Sequence, residues 1–139
     1  MVVAVCWPAL CVAVGAAAPS KRELHSAECV AALEISTDDL ARQVKAGRAD
    51  LRPLLRQRLD AGAAFIGTAY LSGDRDEARA QALLAAALKA QATLPKAELA
   101  ALQARCAQEG AQLLADSNFV SRAVVSRLAR KRMKTLLGE

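Results

Sequence analysis

The chain has 139 residues, 54% of them hydrophobic but only 3% aromatic, and a formal net charge of +5. That length suits one domain, and so few aromatics leave Ala, Leu and Val to build its core. Glycine and proline are too sparse for a disordered linker protein, and β-branched runs are nearly absent after residue 20, which favours helix over strand.

Residues 1–20, MVVAVCWPALCVAVGAAAPS, carry no charged side chain and end in small residues that offer a cleavage site after Ala17 or Ala18. The stretch reads as a signal peptide over 1–18, with one helical domain over 19–139, although no Lys or Arg precedes the apolar run. The competing reading is a retained membrane anchor, 1–20, with Lys21 and Arg22 holding the body in the cytosol. Pro8 and Gly15 make that anchor a poor one, so the expected location is periplasmic or secreted.

Residues 21–34 read as a short helix with Leu24, Val30 and Leu33 inward. Ser36-Thr37-Asp38-Asp39 is a run of capping residues, which predicts a second short helix through Leu40 and Val44, stopped by Gly47. The longest periodic stretch is 50–72. Leu51, Leu54, Leu55, Leu59, Gly62, Phe65, Ile66 and Ala69 share one arc, so this helix is expected to be the one around which the others pack. Asp50 suits its N-cap, Pro53 its first turn and Gly73 the left-handed position after it. Ala63 and Gly67 would let a neighbouring backbone come close, and Phe65 and Tyr70 are expected to be buried.

Asp74 with Glu77 predicts the start of a helix to about Thr93, with Leu83, Leu84, Ala87 and Leu88 inward. Pro95 suits the first turn of the next helix, which passes Leu99, Leu102, Cys106, Gly110 and Leu113 to about Ala115. Asp116 or Ser117 would cap a last helix over 118–137. The expectation is an all-α antiparallel bundle of five to six helices, since connections this short make sequential helices neighbours. Within 63–94, Ile66-Gly67, Tyr70, Gly73 and Ala78 resemble the Leu-Gly, Tyr, Gly and Ala of a tetratricopeptide helix pair. The resemblance implies a packed helical hairpin with a binding groove; the chain holds no second copy to extend it.

If the leader is removed, Cys29 and Cys106 remain, and in an exported protein such a pair suggests a disulfide; in the cytosol it would be two buried thiols. His25, the single histidine, precedes Cys29 by four residues and so shares its helix face. No C-x-x-C pair and no carboxylate cluster in the sequence completes a metal site around these residues. The expectation is therefore a surface histidine beside a disulfide, with no metal and no cofactor. G-x-S-x-G, P-loop, H-E-x-x-H and dinucleotide-binding signatures are missing too, so a non-enzymatic role is expected.

Charge is the most informative feature. Residues 1–116 hold 13 basic and 13 acidic side chains, while 117–139 hold six basic ones and one acidic. Arg127, Arg130, Lys131 and Lys134 form a basic face of the last helix, opposite an apolar arc of Val124, Val125, Leu128, Ala129, Met133 and Leu136. The bland interpretation is a bundle helix with a solvated face. The functional one is contact with an anionic partner. Contact with another protein is the first expectation and weak adhesion to an anionic membrane the second. A pocket between helices for a small molecule comes third, because an Ala-rich interior argues for tight packing. Nucleic acid is not expected, since the helix is poor in aromatics for base stacking and in polar base-readers such as Asn or Gln, and export makes it less available. Arg58 and Arg132 fall on apolar arcs, and Glu109 is the expected partner of Arg58.

Overall fold

The computed structural model describes residues 18–73 and 75–139, so that most of the segment read as a leader or anchor, and Asp74, lie outside the described residues. Among the described residues there are five α-helices and no strand: α1 (Lys21–Lys45), α2 (Arg52–Leu71), α3 (Glu77–Gln91), α4 (Lys96–Asp116) and α5 (Phe119–Leu137). This is the all-α bundle that the periodicity predicts.

Helix α1 opens with a reciprocal cap. The Ser20 hydroxyl accepts from the Glu23 backbone N–H at 3.1 Å, and the Glu23 carboxylate accepts from the Ser20 N–H at 2.7 Å. The two short helices expected on either side of residues 36–39 are in fact one. Cys29, Ala32, Leu33, Thr37, Leu40, Ala41 and Val44 form one continuous buried stripe, and a turn would break it. The would-be capping residues bond along the helix instead: Thr37 Oγ1 donates to the Glu34 carbonyl, and Asp39 accepts from Arg42 and Gln43. Gly47, at φ +110°, supplies the left-handed residue that ends the run.

The other caps differ from expectation by a few residues. Asp50 sits in a short 3-10 turn, Ala49–Leu51, and holds Arg48 through two 3.0 Å bonds instead of capping α2. Pro53 occupies the first turn of α2, and Gly73 follows the helix at φ +92°. Asp76, not Asp74, caps α3 by accepting from the Arg79 N–H. Pro95 stands just before α4 and not within its first turn. Asn118 caps α5 by accepting from the Ser121 N–H at 2.8 Å, a role expected of Asp116 or Ser117.

Helices α1 and α2 form the centre together. Helix α1 touches all four others, whereas α2 packs on α1, α4 and α5. One half of the core joins Cys29, Ala32 and Leu33 of α1 to Ala61 and Phe65 of α2 and to Leu102 and Cys106 of α4. The other half joins Leu40, Ala41 and Val44 to Leu55 and Leu59 and to Ala129 of α5. So α4 covers one end of the central pair and α5 the other. The closest approach lies at Gly110, where an added Cβ would stand 2.7 Å from Ala61. At Gly67 an added Cβ would meet only the Val125 side chain, at the ordinary distance of 3.6 Å, so no backbone comes as close there as expected.

Helix α3 lies on α1 and does not pack along α2, so the tetratricopeptide-like hairpin of 63–94 does not form. Its apolar positions explain this. Leu83, Leu84, Ala87 and Leu88 are only half-buried, while the buried Gln91 donates to the Glu28 carbonyl of α1 at 2.8 Å. A bidentate pair between Arg79 and Glu23, at 3.1 and 3.2 Å, ties the front of α3 to the front of α1. No described helix is long and apolar enough to cross a membrane.

Candidate functional site

Because α3 packs on α1 and not closely along α2, a groove opens between them. Its volume is about 550 Å³, and α1, α2 and α3 line it with Val30, Phe65, Ile66, Ala69, Leu83 and Leu84. Helix α3 is held at its ends, by Arg79–Glu23 and Gln91–Glu28, and its half-buried Leu83 and Leu84 line the groove without filling it. Tyr70 lies on the rim, about half exposed and stacked under Arg75, whose guanidinium carbon is 4.7 Å from the ring centre. Tyr70 was expected in the core; at the last turn of α2 it is instead covered only in part, by Arg75. Glu23 and Arg79 close the other edge. The Arg79 guanidinium beside Glu23, with the Ser20 N–H, holds that carboxyl below the usual carboxylate range.

The outer surface of α5 is the second feature. Val125 and Ala129 are buried, with Met133, Leu136 and Leu137 packed beside them. The predicted apolar arc is nonetheless split. Val124 and Leu128 are 53% and 46% exposed, and Phe119 and Val120 before them are 81% and 69% exposed. Arg127, Arg130, Lys131 and Lys134 are all exposed, as expected. At 100° per residue, Val120, Val124, Arg127, Lys131 and Lys134 share the outward side, with Leu128 at its margin. Cations and apolar side chains thus interleave on one solvent-facing surface. Arg132, expected on the apolar arc, is also exposed. Among the described residues no ion pair engages Arg127, Arg130 or Lys131, while Lys134 adds a weak attraction to Glu139, which Arg52 holds at 2.8 Å.

The third feature surrounds the cysteines. Cys29 and Cys106 stand at disulfide distance with Cα atoms 5.1 Å apart, both buried, as the pairing argument predicts. His25 lies beside them, 45% exposed, with Nε2 3.8 Å from the Cys29 sulfur. Glu109 accepts a bond from His25 Nε2 at 2.8 Å, and the Phe65 ring meets the imidazole edge-on, its centre 6.3 Å away. Glu109 is therefore not the partner of Arg58. Arg58 instead donates from Nη1 to the Gln103 carbonyl at 2.6 Å, and its buried Nε has no partner among the described residues. Burial pushes its pKa down.

Sequence reasoning missed Glu109 as a neighbour of the cysteines. The signal was there: Glu109 follows Cys106 by three residues, as Cys29 follows His25 by four, so each cysteine has a polar companion on its own helix face. What was lacking was the rotation of α4 against α1. No family model, curated protein or solved structure matches this chain.

Proposed function

We propose that this is a non-enzymatic protein that docks on anionic membrane surfaces through the outward side of α5. One observation carries the reading: exposed Val120, Val124 and Leu128 interleave with exposed Arg127, Lys131 and Lys134 on one helix of a folded bundle, with exposed Phe119 at the start of that helix. A merely solvated face needs no large apolar side chains. A headgroup-level helix needs both kinds, cations for the anionic leaflet and apolar groups for the acyl boundary. Each cation near such a surface contributes about 1 kcal/mol at physiological salt. The sequence left this use in competition with the core, since the apolar arc was expected inside. The fold removes that competition by burying Val125 and Ala129 and leaving the other side chains outside.

Co-sedimentation with anionic and neutral vesicles, in low and high salt, tests the proposal. Wild type should bind anionic vesicles at low salt and retain a smaller, salt-resistant fraction. Changing Arg127, Arg130, Lys131 and Lys134 together to Gln should abolish the salt-sensitive part. Phe119→Ser with Val120→Ser should abolish the salt-resistant part. Equal binding by wild type and the four-Gln variant would defeat the proposal.

A second reading, contact with another protein, draws on the groove between α1, α2 and α3, whose Ile66 is 54% exposed. The two readings separate on Ile66→Glu, which leaves vesicle binding intact but spoils a contact made through the groove. The cysteine pair supports residence in an oxidising compartment for either reading.

A further inference from the structure

We infer that, when Cys29 and Cys106 are reduced, they form with His25 and Glu109 a four-coordinate site for zinc or a zinc-like divalent ion. Donor atoms of His25, Cys29 and Glu109 already lie within 4.8 Å of one another. The His25 Nε2 to Glu109 separation is 2.8 Å, and Nε2 to the Cys29 sulfur is 3.8 Å. Around a tetrahedral ion with bonds of about 2.0–2.3 Å, neighbouring donors stand about 3.3–3.8 Å apart. Three of the four donors are thus nearly in place before any metal arrives. The fourth, the Cys106 sulfur, has only to relax from a covalent bond to a non-bonded separation from Cys29.

The surroundings suit an ion. His25 and Cys29 are four apart on α1, and Cys106 and Glu109 three apart on α4, so both pairs ride on rigid helices. In the metal-free site His25 Nε2 holds its proton toward Glu109; when an ion takes that position the ring proton moves to Nδ1, which lies 3.8 Å from the Glu28 carboxylate. The sulfurs are buried, while His25 and Glu109 are half exposed, so an ion has a way in past them. Two thiolates, an imidazole and a carboxylate are a donor set that zinc accepts, whereas magnesium and calcium prefer oxygen alone.

A dithiol reductant supplies two electrons and two protons to cleave the Cys29–Cys106 bond and becomes a disulfide itself. The ion then displaces both thiol protons to solvent and binds His25 in its neutral form. Either way α1 stays tied to α4 at this point, by a covalent bond under oxidising conditions and by a metal under reducing ones.

Cobalt titration of the reduced full chain carrying Cys6→Ser and Cys11→Ser provides the test. One equivalent of cobalt should produce sulfur-to-metal charge-transfer absorption and the intense visible bands of a tetrahedral ion, and zinc should bleach both. The oxidised protein should give neither. His25→Gln and Glu109→Gln should each weaken zinc binding by about tenfold or more. Both positions are half exposed, so the variants should fold, and circular dichroism checks that they do. A reduced chain without the tetrahedral spectrum, folded or not, overturns the inference. So does binding that neither Gln variant weakens, because the thiols alone would then account for it.

Discussion

Gly110 and Gly62 are both glycines inside helices, and the bundle treats them oppositely. A Cβ on Gly110 would sit 2.7–2.8 Å from the Ala61 backbone and Cβ, a distance no packed atom tolerates. A Cβ on Gly62 would meet Leu33 at 3.8 Å, an ordinary contact. Replacing glycine with alanine in a helix adds about 0.5–1 kcal/mol of backbone preference. At Gly62 that gain should appear in full. At Gly110 it should be overwhelmed, because α2 and α4 must separate, and overpacking of this kind costs about 1–3 kcal/mol or more. Urea denaturation should therefore place Gly62→Ala above wild type and Gly110→Ala below it. Equal stability of the two variants would mean that the α2–α4 contact is looser than described. The sequence marks Gly110 only as a small residue on an apolar path; its partner is invisible until two helices cross.

At the scale of the element, the ends of helices were the least legible part. Residues 36–39 carry good capping chemistry that the fold leaves unused, because the buried stripe of α1 runs straight through Thr37. Capping residues permit a helix start and do not command one; burial of the next turn decides. The beginning of α5 shows the opposite case. Asn118 accepts from the Ser121 N–H in a turn whose Phe119 and Val120 are exposed, so little tertiary packing holds it. Asn118→Ala should cost about 1 kcal/mol and speed amide exchange through the first turn of α5. Unchanged exchange there would show that the cap is dispensable. If the first turn frays, the salt-resistant part of vesicle binding should fall with it, since Phe119 and Val120 belong to that turn.

At the scale of the molecule, two core clusters share one central pair of helices, and Cys29 of α1 stands at disulfide distance from Cys106 of α4 in the first of them. A bridge there spans a sequence separation of 77 residues. Loop-closure entropy assigns a crosslink of that reach about 4.5 kcal/mol, a large part of the stability of a small domain. Cys29→Ala, measured without reductant, should lower stability by about 2–5 kcal/mol. Two titratable thiols from this pair in the denatured, non-reduced protein would show that the bridge does not form. The second cluster contains no crosslink and includes α5, so the α5 end should be the more sensitive to denaturant.

Composition and period determined the helices, their number to within one, the cysteine pair and the concentration of charge in α5, because each of these is set locally or by counting. Leu55, Leu59 and Phe65 are buried as the wheel places them, for the same reason. Which helix touches which was decided only in three dimensions. Short connections suggested that α2 and α3 would pack together, yet α3 found its anchors on α1 in Arg79–Glu23 and Gln91–Glu28, and the groove followed. The same holds for the exposed side chains of α5 and for Glu109 beside His25. A helical wheel gives the angle between residues of one helix, but not which direction its neighbours occupy. That direction is set by long-range burial and by where small residues such as Gly110 let two backbones meet.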